Sequence, residues 1–111
     1  MLTWEEFEKV EMRVGTIFEV NDFPKARNPA YQITIDFGEF GIKKSSAQIT
    51  KLYDKSQLVG RQVIAVINFP PKQIANFLSE CLVMGVIGLD KEVILLQPER
   101  QVKNEIGRAH V

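Results

Sequence analysis

The sequence predicts an all-β domain with a single helix between its strands. Short apolar stretches alternate with glycine, proline and asparagine turn signals along its 111 residues. Residues 31–37 (YQITIDF) alternate apolar and polar side chains with the period of a half-buried strand. Residues 63–67 (VIAVI) are continuously apolar, which suits a strand buried on both faces. Because 45% of the residues are apolar, residues 1–111 can bury one ordinary core and are expected to form a single domain.

The N-terminal part predicts a short helix followed by a long strand. Residues 3–10 suit a helix, since Thr3 and Glu6 have the spacing of a capping box. Residues 12–20 (MRVGTIFEV) alternate as a strand would. Gly15 is expected to mark a bulge or sharp bend in that strand.

A loop and a hairpin follow this strand. Residues 21–29 (NDFPKARNP) form a proline-bracketed loop, and the strand at 31–37 comes after it. Glycines bracket a turn at residues 38–41 (GEFG), after which residues 42–45 begin a third strand.

The second half predicts the internal helix and the remaining strands. Residues 48–58 carry apolar side chains at helical spacing, and Gly60 follows as a stop signal. Residues 63–68 and 82–86 supply a fourth and a fifth strand, and residues 93–96 a short further one.

This order of elements is that of an OB-fold, a five-stranded Greek-key barrel with one helix between strands 3 and 4. A long, bent first strand fits the fold because that strand serves both halves of the barrel. A β-sandwich with a similar number of strands is the alternative, and the single mid-chain helix counts against it.

Charge is unevenly distributed, although the formal net charge is zero. Residues 43–78 carry six basic side chains and one acidic side chain. Such a segment can present a basic face to an anionic partner, unless the charges interleave in three dimensions. The single cysteine, the absence of a secretory signal pattern and the lack of a membrane-length apolar run predict a cytoplasmic protein without membrane insertion.

The sequence offers no catalytic or metal-binding constellation. The only histidine, His110, is the penultimate residue, and Cys81 lies in an apolar stretch where burial would make its thiol inert. One cysteine and one histidine cannot build a zinc site, and no phosphate-binding GxxxxGK motif is present. Ser79 and Glu80 are expected to make hydrogen bonds within a loop. We therefore expect neither an enzyme nor a cofactor or bound metal.

Several segments together form a recognisable pattern; they are residues 12–17 (MRVGTI), 23–27 (FPKAR), 45–50 (SSAQIT), 63–68 with Lys72, and 79–80. In these segments the chain resembles a known family, the tRNA-binding OB domain that is appended to some aminoacyl-tRNA synthetases. Within that family the chain is most similar to the free-standing CsaA proteins, on residues 41–50 (GIKKSSAQIT), 68–75 (NFPPKQIA) and 95–98 (LLQP). This resemblance spans roughly residues 7–107.

The resemblance implies a homodimeric, export-associated chaperone that binds unfolded or presecretory polypeptides and can also bind tRNA. A trans-acting tRNA-binding protein without a chaperone role is the alternative. A module that tethers a larger enzyme is a third possibility.

Candidate RNA contacts are the cations and hydroxyls of the predicted loops and strand ends, because phosphates need such partners. They are Arg13, Lys25, Arg27, Lys43, Lys44, Ser46, Lys51, Lys72 and Ser79. For Lys43 and Lys44, a solvated strand edge that discourages further pairing is the competing interpretation.

Candidate polypeptide contacts are apolar side chains that crowd the loops. They are Phe40, Ile42, Phe69, Ile74, Phe77 and Leu78. An exposed apolar patch usually marks an interaction site, although each of these residues could instead belong to the core or to a dimer interface. Phe69 is also the best candidate for stacking on a base.

A dimer interface is predicted outside the barrel strands, in residues 1–10 and 97–111. Trp4 and Phe7 lie three apart on the N-terminal helix and would form an apolar stripe that needs a covering surface. Leu96 is the third candidate. The barrel could cover the same stripe in a monomer.

Overall fold

The computed structural model describes residues 1–107 and shows a fold dominated by antiparallel sheet. Its elements are α1 (Trp4–Glu8), β1 (Met12–Asp22), β2 (Tyr31–Asp36), a 3₁₀ turn (Gly38–Phe40), β3 (Ile42–Ala47), α2 (Lys55–Leu58), β4 (Gln62–Val66), β5 (Lys72–Ile74), β6 (Phe77–Ser79), β7 (Leu82–Val83), β8 (Gly85–Ile87) and β9 (Val93–Leu95). The main sheet has five strands in the order β3-β2-β1-β4-β7, and β5–β6 and β8–β9 form hairpins beside it. The main sheet curls into a nearly closed barrel, so the predicted OB-like fold is confirmed.

The first strand serves both halves of the barrel, as the sequence predicts. Residues 12–16 pair with β4, and residues 16–22 pair with β2. The register with β2 shifts between Ile17 and Glu19, so Phe18 is the extra residue of a bulge. The bulge predicted at Gly15 is therefore not there, where the register with β4 is regular, but at Phe18.

Gly15 has a packing role instead. It is buried in β1, and a Cβ atom built there would lie 2.5 Å from Ile35 Cγ2 and 2.7 Å from the ring of Phe37. No side chain fits at that distance, so a glycine is required for β1 to approach the core side chains of the neighbouring strand.

The N-terminal helix forms, whereas the internal helix is much shorter than predicted. Thr3 caps α1, and the reciprocal bonds between Thr3 and Glu6 complete the capping box. Of the predicted helix at 48–58, only Lys55–Leu58 is helical, and Asp54 caps it. Among residues 1–107, no helix is long and apolar enough to cross a membrane.

The helix is short because tertiary contacts take the residues before it. Strand β3 continues past the predicted residues 42–45 to Ser46 and Ala47, which pair with β2 directly before the predicted helix. Ile49 is buried in the main core from an irregular segment. The helical spacing of the apolar residues in 48–58 therefore reflects separate anchoring contacts with the core and not one face of a helix.

The predicted strand at 82–86 is divided in two. The Met84 N–H donates to the carbonyl of Ile64 at 2.9 Å, and the Leu96 N–H donates to the carbonyl of Met84 at 3.1 Å. The chain thus changes partner at Met84, from β4 to β9. Leu82 and Val86 are about half exposed, so this run is not buried throughout as its composition suggested.

The β5–β6 hairpin was not predicted from the sequence, and it packs against the edge of β3. The Glu80 N–H donates to the Lys44 carbonyl at 2.7 Å, and the Glu80 carboxylate accepts from the Lys44 N–H at 3.0 Å. Ser79 and Glu80 do make hydrogen bonds, but with Ser46 and Lys44 of β3 and not within a loop as predicted. These contacts hold the end of β6 against the edge of β3.

The core has two parts. The main cluster lies inside the barrel, and its fully buried members are Ile17, Ile33, Ile35, Phe37, Leu58, Val63 and Ala65. A second cluster joins Phe23, Ala30 and Phe77 beneath the β5–β6 hairpin. The second cluster ties the loop after β1 to that hairpin.

The segment after β9 packs back onto the barrel. The Gln62 amide bonds both the N–H and the carbonyl of Val102, and the Val14 N–H donates to the Ile106 carbonyl at 2.9 Å. Residues 102–107 are thereby fixed along β1. Residues 108–111 of the predicted C-terminal extension, including His110, lie outside the described part of the chain.

Candidate functional site

Three adjoining depressions meet beside the β5–β6 hairpin, because Ser46 and Ile74 line all three. We name them together the hairpin groove. Its apolar part has a volume of about 340 Å³ and is lined by Ser46, Phe69, Pro70, Lys72, Ile74, Ser79, Cys81 and Leu82. Its polar part, of about 380 Å³, is lined by Ala26, Arg27, Asn28, Ala30, Ser46, Gln48, Lys72, Gln73 and Ile74. The third part, of about 250 Å³, continues toward β7 and β9.

The alternation of β3 places Ser46 at the centre of the groove. Ser45 and Ala47 are buried on the core side, so Ser46 between them faces outward. The Ser46 N–H donates to Ser79 Oγ at 3.1 Å. The Ser79 hydroxyl accepts this bond and keeps its own proton for donation to a ligand.

The second core cluster positions the loop that carries Arg27. Phe23 and Ala30, at the two ends of this loop, are buried, and the ring centroid of Phe23 lies 5.4 Å from that of Phe77. The loop is therefore anchored at both ends while Arg27 between them reaches the groove. Phe77, predicted as a polypeptide contact, is buried in this cluster and supports the groove from below.

The groove is electropositive. Arg27 and Lys72 line it, and of the lining residues, all within residues 1–107, none is acidic. The nearby Glu80 carboxylate is held on the Lys44 backbone N–H at the β3 edge. The Cys81 thiol forms part of the wall, and burial raises its pKa to about 12, so it is a neutral, unreactive surface as predicted.

The structure gathers four of the predicted RNA contacts into the groove. These are Arg27, Ser46, Lys72 and Ser79. Lys25 and Lys44 are exposed but do not line the groove. Lys43 lies on the opposite face of β3 from Lys44, where its charge acts on Cys81 and opposes the increase in that pKa.

Two further predicted RNA contacts are engaged elsewhere. The Arg13 guanidinium stacks over the ring of Phe40 at 4.3 Å and forms an ion pair with Glu11 at 3.3 Å. Lys51 Nζ donates to the carbonyl of Asp90 at 2.7 Å. Both side chains would have to leave these partners to meet a phosphate in the groove.

The predicted polypeptide contacts are divided between two places. Phe69 and Ile74 line the groove, and the Phe69 side chain is 55% exposed. Leu78 is exposed on β6. Phe40 and Ile42 are exposed at the turn between β2 and β3, beside Arg13. The predicted polypeptide contacts therefore form two separate apolar surfaces and not one patch.

Sequence reasoning missed several groove residues, among them Asn28, Gln48 and Leu82. The sequence places Gln48 in the predicted helix and Leu82 in the predicted strand at 82–86. The alternation of residues 42–47 continues two positions beyond the predicted end of strand 3. Extending that strand would have placed Gln48 next to the groove.

The candidate dimer residues lie at two sites. Trp4 and Phe7 line a depression of about 550 Å³ on α1, together with Leu2 and Thr3. Leu96 is partly exposed after β9, beside Ile64 and Met84.

The barrel and its electropositive groove define an OB domain of the type that binds nucleic-acid chains. Residues 12–106 match the family described as "Putative tRNA binding domain", and the chain belongs to that family. The chain is also 38% identical over 99 residues to a methionine–tRNA ligase of Leptospira biflexa. That match covers 89% of this chain but only 14% of the ligase, so it concerns one domain of a much longer enzyme.

Within the family the chain is of the CsaA type. It is 50% identical to the CsaA chaperone protein of Picrophilus torridus, with a TM-score of 0.93 over 98% of this chain and 100% of that one. A CsaA chaperone of Bacillus anthracis is 45% identical, with a TM-score of 0.93 over 98% and 99% of the two chains. The family resemblance predicted from the sequence is confirmed.

Proposed function

We propose that this protein is a tRNA-binding chaperone of the CsaA type, and that it acts by binding and not by catalysis. The hairpin groove receives RNA. The exposed apolar side chains at its rim hold unfolded or presecretory polypeptides. Both ligands imply a cytoplasmic protein with a role before export.

The observation that carries the RNA part is the pairing of Arg27 with Lys72 in a groove whose lining, within residues 1–107, holds no carboxylate. Two cations attract a phosphate backbone without reading its sequence, and nothing in the lining repels it. The family to which residues 12–106 belong supports tRNA as the RNA.

The chaperone part is supported by a different observation. Phe69 exposes apolar surface in the groove and Leu78 on β6, and Ile42 is 61% exposed on the separate surface at the β2–β3 turn. Apolar side chains arranged around a shallow surface suit a chain without fixed structure. The CsaA structures that resemble this chain are described as chaperones.

The test is a competition between the two ligands. Fluorescent tRNA is titrated at two salt concentrations, with and without an excess of a permanently unfolded polypeptide. Two phosphate contacts predict that log affinity falls with log salt at a slope of about −1.4 to −1.8. We expect the polypeptide to displace tRNA, because Phe69 stands at the rim of the groove that holds Lys72.

Each part of the proposal can fail separately. Absence of tRNA binding at low salt contradicts the RNA part. Failure of the unfolded polypeptide to bind, in a direct titration of the same preparation, contradicts the chaperone part and leaves a trans-acting tRNA-binding protein.

We further propose a homodimer that forms through the outer face of the β8–β9 hairpin. Val86 and Ile94 are directly paired across the strands and are 51% and 48% exposed. Leu96, two residues after Ile94, shares their face. A flat aliphatic face of this kind is self-complementary across a two-fold axis. The α1 surface around Trp4 is the alternative interface.

Replacing Ile94 by lysine should shift the protein from dimer to monomer, because it buries two symmetry-related charges at the interface. Mass is measured by light scattering during size exclusion. Leu89→Lys is the matched control, since Leu89 is fully exposed in the turn between β8 and β9. A dimeric Ile94→Lys variant, together with a monomeric variant lacking residues 1–8, would assign the interface to α1.

A further inference from the structure

The geometry of the hairpin groove points to a narrower ligand than RNA in general. We propose that the groove holds one unpaired nucleotide, with its base in the apolar part and its phosphate in the polar part. This inference rests on the proposed RNA-binding function. It adds that the protein recognises tRNA through a base that has left the helical stack.

The apolar part has the features of a base pocket. Phe69 presents a half-exposed ring, and Pro70, Ile74 and Leu82 supply aliphatic walls. An aromatic face beside aliphatic walls accepts the flat surface of any base. At about 340 Å³ the pocket is at the small end of the range for ligand sites, which suits one base and not a stack of several.

The same part offers hydrogen bonds to the edge of a base. Ser46 and Ser79 are its hydroxyl residues, and Ser79 Oγ already accepts the Ser46 N–H. The Ser79 proton is therefore available to a base acceptor. Hydroxyls both donate and accept, so they bind the edges of different bases without strong selection among them.

The polar part lies where the phosphate of that nucleotide would fall. Lys72 lines both parts, and Arg27 lines the polar part beside Asn28 and Gln48. Lys72, where the apolar and polar parts meet, is thus adjacent to the base pocket, as a phosphate is adjacent to its own base. An apolar pocket with a cation at its edge is complementary to a nucleotide in both polarity and charge.

The concave shape excludes a base that remains in a helix. Paired bases hide their faces by stacking, and RNA duplexes present mainly backbone to proteins. Only a base in a loop, bulge or single-stranded end can place its face on Phe69. A peptide with an apolar side chain next to a carboxylate has similar polarity, but it gains less from a flat ring and two hydroxyls.

The experiment compares a labelled single-stranded RNA tetranucleotide with a blunt RNA duplex, using fluorescence anisotropy at two salt concentrations. We expect the tetranucleotide to bind the protein at least tenfold more tightly than the duplex does, when the affinity for the duplex is expressed per four base pairs. Phe69→Leu keeps an apolar side chain but removes the flat ring, and should weaken tetranucleotide binding about tenfold with an unchanged salt slope.

A second variant and a control separate the two parts of the groove. Lys72→Gln should reduce the salt slope by about 0.7, because one phosphate contact is lost. Leu89→Ala, in the exposed turn after β8, should change neither affinity nor slope. Unaltered thermal unfolding of each variant shows that the effects are local.

The outcomes distinguish this inference from the function on which it rests. Equal affinity for duplex and tetranucleotide, or an unchanged affinity of Phe69→Leu, overturns the nucleotide pocket even if full-length tRNA still binds. Loss of all binding to tRNA and tetranucleotide overturns both. If an apolar, acidic peptide binds and is weakened by Phe69→Leu while the tetranucleotide is not, the groove is a peptide site and the inference is wrong.

Discussion

Replacing Arg27 and Lys72 together by glutamine is expected to lower the affinity for tRNA about thirtyfold at 0.1 M salt. Each phosphate contact releases counterions and contributes about 0.7–0.9 to the salt slope, which corresponds to roughly five- to eightfold in affinity per contact at that salt concentration. These two cations line the polar part of the groove together. The affinity and its salt slope are measured by titration of labelled tRNA at several salt concentrations.

The matched control is the double variant Arg100→Gln with Lys103→Gln, which removes the same two types of charge. Both control residues lie after β9, and their partners are Glu99 and Glu105. If net charge alone governs binding, the two double variants will lose affinity equally, and the assignment of tRNA to the hairpin groove will be wrong. A loss confined to the Arg27 and Lys72 variant supports the groove.

The strands were predictable because their signal is local. Alternation at residues 31–37 and the apolar run at residues 63–67 each determine which faces are buried, and β2 and β4 form there. The capping box of Thr3 and Glu6 is likewise complete within four residues. Wherever neighbouring residues determine the structure, the prediction agrees with it.

The errors occur where distant residues decide the structure. Ser46 and Ala47 extend β3 because β2 pairs with them, although the sequence indicated this strand only over residues 42–45. Phe77 is buried because Phe23, more than fifty positions earlier, packs against it. The partner change at Met84 depends on Leu96 and Ile64. No window of neighbouring residues contains these contacts.

The candidate site shows the same division. Residue types that bind phosphate were found readily, but only Arg27 and Lys72 among the predicted cations line the groove. Arg13 does not line the groove, because it contacts Phe40 and Glu11. Lys43 does not line it either, because the alternation of β3 places it on the opposite face from Ser46. The chemical types of the site residues could be predicted from composition, whereas their positions depend on how the β5–β6 hairpin packs against β3.

Gly15→Ala is expected to destabilise the protein by about 3 kcal/mol, which is large for the addition of one methyl group. The new Cβ would lie 2.5 Å from Ile35 Cγ2 and 2.7 Å from the Phe37 ring, and both side chains are fully buried. Neither can move without opening the main core. For a domain of this size we expect the unfolding temperature, measured by circular dichroism, to fall by about 12 °C or more.

Gly41→Ala separates this packing effect from backbone strain. Gly41 has φ of 86° and no atom within 4 Å of the position of a Cβ, so alanine there is strained without being crowded. Because its ψ is −173°, this backbone conformation is one that essentially only glycine adopts, and the change should cost about 1–3 kcal/mol. Combining Gly15→Ala with Phe37→Leu should cost less than the sum of the two single changes, because the smaller side chain makes room for the methyl group. Strict additivity of Gly15→Ala and Phe37→Leu, or an unchanged unfolding temperature of Gly15→Ala, would show that close packing is not what requires glycine in β1.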